Sequence, residues 1–214
     1  MALISCGCNI AEWQLRGRYN KILNVRISFD MNSTKEKNYA LLGIIGPFVT
    51  YFSIWVSITF SPWFSWQRNA LSDLGHSVNS GVAPIFNLGL LFTGFFVIIY
   101  AVTVFEKHAK YTSICLIASA VILQLVATFD EVYGSLHGVV AVLFFVSIWI
   151  TSIVNAIEKK SLLALMAFIV GLSSFILFEM KVYSAGIAVP EIISFGAVAT
   201  LLQLSAIKIY LRKH

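Results

Sequence analysis

Two short polar segments and one isolated acid hold most of the side chains in this chain that could do chemistry. The first reads Ser72-Asp73-Leu74-Gly75-His76, a few residues after Arg68 and between two long apolar runs. Asp73 and His76 could ligate one metal ion, or one could orient the other for proton transfer. The structural alternative is a hydrogen-bonded re-entrant turn, with Ser72 and Asp73 capping backbone groups and Gly75 permitting a φ above zero. The second segment reads Asp130-Glu131-Val132-Tyr133-Gly134-Ser135-Leu136-His137. Its adjacent carboxylates and following His could form half of a metal site. Charged residues are cheap to keep near the end of a membrane helix, so Asp130 and Glu131 also suit a plain boundary. His137 is different, because Gly138 and a continuous apolar run follow it directly. An ionisable residue inside such a run is a functional candidate by default. Glu191 follows Pro190, and Pro with an acid is also what a helix N-terminus favours.

These residue types allow several chemistries and specify none. Zn²⁺ accepts His and Asp/Glu in catalytic sites with three protein ligands, so His76, His137, Asp73 and Asp130 are candidate ligands. No tight spacing such as HExxH supports them. A Ser72–His137–Asp130 hydrolase can be drawn, but no nucleophile elbow surrounds the serine. Haem between helices would need facing His pairs at two depths, and the candidates here lie at one end. Cys6 and Cys8 form a CxC without a second ligand pair, and Cys115 lies within an apolar run, so reduced thiols are expected.

The elements that must position these groups are apolar throughout. Of 214 residues, 58% are hydrophobic and 12% charged, with a mean hydropathy of +0.84. Soluble domains carry roughly a quarter charged residues, so this chain lies outside that class. Its net charge of +5 does not indicate nucleic acid, because the cations form neither one patch nor a base-stacking platform. Crossing a hydrocarbon core of about 30 Å takes about 20 apolar residues per helix. Six segments qualify: Tyr39–Phe60, Ala83–Phe105, Tyr111–Phe129, Gly134–Ile157, Ser161–Met180 and Pro190–Leu211. They are rich in Gly, Ala and Ser, which let helices approach closely in lipid. The alternating short strands of a β-barrel are missing. The fold class is therefore all-α, a polytopic bundle of six transmembrane helices.

Loop cations orient that bundle. One set of connections carries Lys35, Lys37, Lys107, Lys110, Lys159, Lys160, Lys208, Arg212 and Lys213; the other carries only Arg68 and Lys181. Cytoplasmic loops hold the excess of Lys and Arg, so both termini are expected inside, in a cell membrane. The same threading puts Asp73, His76, Asp130, Glu131, His137, Glu179, Lys181 and Glu191 at the outer ends of the helices. Trp63, Trp66, Tyr133 and Tyr183 are expected at that boundary. Glu36, Glu106 and Glu158 stand beside lysines on the inner side and are expected to be solvated. Residues 1–37 contain Arg16, Arg18, Lys21 and Arg26 but no apolar stretch long enough for a signal-peptide core. They are expected to form a flexible cytoplasmic extension, unless translation starts at Met31.

Leu71-Ser72-Asp73-Leu74-Gly75, followed by Pro84-Ile85-Phe86-Asn87-Leu88-Gly89-Leu90, resembles the DUF998 family of prokaryotic six-helix membrane proteins. There an S-D-L-G loop precedes an I-F-N-x-G-L helix start. His137 heading the fourth helix and Glu191 heading the sixth fit the same pattern. The resemblance runs from about Asn38 to the C-terminus and implies six helices but no assigned activity. The chain is more distantly similar to the Frag1/DRAM/Sfk1 group of eukaryotic membrane proteins. It departs from that group by reading Gly81-Val82-Ala83-Pro84 where a Pro-Pro-Glu-Ser segment stands. That likeness points only generally to lipid handling.

The functional expectation is an outward-facing polar pocket built from Ser72, Asp73, His76, Asp130, Glu131, His137 and Glu191. It would engage lipid headgroups or a membrane partner. The alternatives are a metal-dependent intramembrane lipid hydrolase, with zinc on the histidines, and a small-solute transporter. Whether the chain is an enzyme stays open at this level.

Overall fold

Lipid offers no hydrogen-bond partner to a peptide group, so each apolar run must satisfy its own backbone and closes into a helix. The computed structural model describes residues 34–212, and the expectations for the leader before Thr34 lie outside them. Six helices are long and apolar enough to cross a membrane: α1 Thr34–Thr59, α2 Ala83–Thr103, α3 Lys110–Thr128, α4 Ser135–Lys159, α5 Leu162–Glu179 and α6 Ala188–Tyr210. Among the described residues there is no strand.

Most boundaries fall within two residues of the apolar runs. At the start of α1, Thr34–Lys37 are polar yet helical, because the backbone ladder does not need apolar side chains once it leaves the hydrocarbon. After α2 the chain tightens into a 3-10 turn, Phe105–Lys107, before α3.

α3 packs against α2 and α4, and α5 against α4 and α6. Hydrogen bonds attach α1 to two neighbours. Thr50 donates to Thr93 Oγ1 at 2.7 Å, and Thr93 donates onward to the Gly46 carbonyl at 2.7 Å. Gln203 on α6 donates to Ile44 O at 3.2 Å. Helices in lipid gain little from the hydrophobic effect, so such bonds and close packing hold them together. Gly94 shows the closeness: a Cβ there would lie 2.8 Å from the Ala120 carbonyl of α3. Large apolar side chains such as Phe48, Trp55 and Phe92 are left on the outer surface, where lipid is their natural solvent.

The interior holds two main apolar clusters. Tyr100, Val104, Phe105, Leu116 and Leu202 are in the one toward the lysine-rich end. Leu74, Phe86, Leu123, Phe144 and Val198 are in the other, which includes the α1–α2 connection. The second cluster positions the polar residues, because it pins Leu71 and Leu74 of the loop into the end of the bundle.

Candidate functional site

The α1–α2 connection folds back over the bundle, with a 3-10 turn at Ser72–Gly75. Asp73 shapes it from within: one carboxylate oxygen accepts from the Asn69 amide at 2.7 Å and from the Ala70 N–H at 3.0 Å. His76 also serves the loop locally. Its Nδ1 accepts from the N–H groups of Val78 and Asn79 at 3.4 and 3.3 Å, and its Nε2 lies 2.9 Å from the Asn79 amide.

Gly75 is not at positive φ; among the described glycines only Gly134 is. Space is what selects glycine at Gly75. A Cβ there would meet Asn87 Oδ1 at 2.5 Å and the Phe86 ring at 2.8 Å. Asn87 then donates to the Gly75 carbonyl at 2.9 Å. The two motifs Ser72-Asp73-Leu74-Gly75 and Phe86-Asn87 are therefore one contact, loop on helix start.

Three carboxylates from other elements grip this loop. Glu191, in the first turn of α6 and 8% exposed, accepts the Leu71 N–H at 2.7 Å. Glu131 accepts the Ser72 hydroxyl at 2.5 Å. Asp130 accepts the Ser77 N–H at 3.2 Å with one oxygen, and with the other the Val132 N–H at 3.0 Å, which caps the turn Glu131–Tyr133. Burial pushes the Asp130 carboxyl up, but the hydrogen bonds from Ser77 and Val132 outweigh it, helped by the nearby His76. Its pKa falls below the ordinary 3.8. The α5–α6 connection supplies two more ties: Gly186 N–H donates to Trp66 O at 2.8 Å, and Ala188 N–H to Asn69 O at 3.1 Å.

His137 is buried, 5% exposed. A carbonyl can only accept, so its Nδ1–H donates to Phe129 O, at 2.7 Å. That fixes the ring and turns Nε2 toward Glu131, whose carboxylate oxygen is 3.3 Å away. This contact has ion-pair distance but not hydrogen-bond alignment, and Nε2 has no hydrogen-bond partner in the structure. Without a proton between them, a neutral Nε2 and a carboxylate oxygen at that distance repel. The order of groups is Ser72–Glu131–His137, with the carboxylate in the middle. A nucleophilic triad has the imidazole in the middle, so this arrangement does not activate Ser72 in that way.

Below the loop lies a cavity of about 60 Å³. Its walls are apolar, from Ile54, Phe86, Leu90, Leu123, Phe144 and Phe195, with Ser72, His137 and Glu191 also lining it. Glu131 bridges two of these groups from outside the lining, while Asp73, His76 and Asp130 do not reach it. The seven candidate residues thus surround one loop, but only three meet at the cavity. The four candidate zinc ligands do not converge, and among the described residues no group of three or more His, Cys, Asp or Glu side chains could hold a metal ion. His76 Nδ1 spends its lone pair on backbone N–H groups, which leaves that nitrogen unsuited to a metal.

Sequence reasoning missed Asn69, Ser77, Asn87 and Gly186. Asn87 had a signal, since it lies inside the second motif. Gly186 had none, because its role comes from an approach across the bundle: a Cβ there would lie 2.6 Å from the Asn69 carbonyl.

No curated protein and no solved structure matches the chain. Residues 44–208 match the family described as "Protein of unknown function (DUF998)". That match covers all but the first ten residues of α1 and the last two of α6, together with the joined loop and helix-start motifs, and the chain is a multi-pass membrane protein of the DUF998 family.

Proposed function

We propose that the loop end of this membrane protein faces outward in a cell membrane, with both termini cytoplasmic, and holds the polar tip of a lipid headgroup that carries N–H donors. The imbalance of loop cations supports the orientation. One observation carries the binding reading: a mainly apolar cavity is lined by the Glu191 carboxylate and by buried His137, whose Nε2 makes no hydrogen bond. Apolar walls with a few convergent polar groups are the usual pattern of a ligand site. Size narrows the ligand further. A cavity of about 60 Å³ suits a small polar tip better than a bulky one. An ethanolamine tip fits this description, whereas a trimethylated choline offers no N–H and is bulkier.

The test is the thermal shift of the detergent-purified protein on titration with short-chain phosphatidylethanolamine, phosphatidylcholine and phosphatidylglycerol. A ligand that binds the folded state at a hundred times its Kd stabilises by about 2.7 kcal/mol. The expected result is a saturable rise in Tm with the ethanolamine lipid, smaller with the other two, and abolished in Ala141→Leu, which fills the cavity wall. Equal shifts for all three lipids, or an ethanolamine shift that survives Ala141→Leu, would overturn the proposal.

A further inference from the structure

A second cavity opens at the opposite, lysine-rich end of the bundle. It has a volume of about 430 Å³ and is lined by Asn155, Lys159, Ser161, Ser205, Lys208 and Arg212, among others. That volume lies within the roughly 300–1,000 Å³ common for small-molecule sites. Three of these residues are cationic, and no carboxylate is among the described lining residues.

Two of the three acids on this side, Glu158 and Glu36, are engaged by other groups. Glu158, next to Lys159, turns to the start of α3, where it accepts from the N–H groups of Tyr111 and Thr112 at 3.1 and 2.8 Å and from the Thr112 hydroxyl at 2.6 Å. It is therefore engaged, not simply solvated as the sequence predicts. Glu36 lies 3.5 Å from His108 Nε2, on the rim. Lys159 is held at the cavity by donating to the His108 carbonyl at 2.9 Å.

Asn155 is the second, independent observation. It is 5% exposed, faces the cavity, and its side-chain amide makes no hydrogen bond among the described residues. Its polar atoms are open to the cavity, where water or a ligand supplies the partner that no described group provides. Ser161 offers another donor: its oxygen accepts the Ala164 N–H at 3.3 Å, leaving its own proton free to point elsewhere.

We infer that this cavity binds a phosphate-bearing anion, with Lys159, Lys208 and Arg212 supplying charge and Asn155 and Ser161 supplying neutral donors. Phosphate oxygens accept several hydrogen bonds at once, and Arg can meet two of them with its planar fork. Basic pockets between membrane helices are also a recognised way of holding anionic headgroups. A free phosphate and a lipid phosphate share this chemistry.

The experiment separates the two sources with the full-length protein. One arm titrates inorganic phosphate into protein in neutral detergent and reads the thermal shift. The other reconstitutes it into nanodiscs of phosphatidylcholine doped with phosphatidic acid and reads lipid retention by native mass spectrometry. Retention of phosphatidic acid without a response to inorganic phosphate assigns a lipid headgroup. A response to both assigns a site open to soluble phosphate. In either case Lys208→Ala and Arg212→Ala each weaken binding about fivefold, and Asn155→Asp abolishes it by placing a like charge among the ligands. Lys107→Ala/Lys110→Ala, which removes two cations outside the cavity lining, leaves binding unchanged. No binding in either arm, or an equal loss in the Lys107/Lys110 control, would overturn the inference.

Discussion

At the scale of single residues, Glu191 ties the loop to α6. It is buried in the first turn of α6 and accepts a backbone N–H from Leu71, 120 residues away in sequence. Truncating it strands that N–H. Glu191→Ala is therefore expected to cost about 2 kcal/mol, the range for an unsatisfied buried donor, while Glu191→Gln keeps an acceptor and costs less than half as much. Chemical unfolding in detergent checks both, and equal effects would show that the acceptor is not what matters. Asp130 predicts a pH dependence. Its folded pKa lies below the ordinary 3.8, so it contributes stability that is present above that value and lost as the pH falls through the lower, folded one. The Asp130 contribution to loop docking, read as the difference in Trp63 and Trp66 emission between the unaltered protein and Asp130→Asn, should stay constant from pH 8 to about 5 and fall away below about 4.

At the scale of elements, two of the three connections at the loop end, α1–α2 and α5–α6, leave each other no slack. Gly186 N–H donates to Trp66 O, and a Cβ on Gly186 would press on backbone atoms of Arg68 and Asn69. Backbone cannot rotate away as a side chain can, so Gly186→Ala should destabilise by about 1–3 kcal/mol. Gly81 is the internal control: it lies in the α1–α2 connection at the same end of the bundle, and a Cβ there meets nothing within 4 Å. Gly81→Ala should be near neutral, and a matching loss at both glycines would contradict the packing account. These elements also show what a single sequence reveals. The six helices were legible because predominantly apolar stretches of 18 or more residues leave the backbone no other choice in lipid. Ser72, Glu131, His137 and Glu191 were legible as polar groups standing out against apolar runs. Their partners were not. Which N–H Glu191 accepts, that Glu131 stands between Ser72 and His137, and that Gly75 is selected by the Asn87 side chain all depend on distances between segments that no periodicity encodes.

At the scale of the whole molecule, the two ends differ in charge and in construction. The loop end gathers Asp73, Asp130, Glu131 and Glu191 around the docked α1–α2 connection, above a small, mainly apolar cavity that only Glu191 of the four lines. The opposite end opens a wider basic cavity at the ends of α4 and α6. Acceptors at one end and donors at the other suit opposite ligand chemistry, with the helices as a fixed spacer between them. The most direct measurement of the central claim is native mass spectrometry from nanodiscs holding equal amounts of phosphatidylethanolamine and phosphatidylcholine. The predicted result is retention of ethanolamine lipid over choline lipid by the unaltered protein, and loss of that preference in Glu191→Gln with the fold intact. Equal retention of the two lipids by the unaltered protein would contradict it.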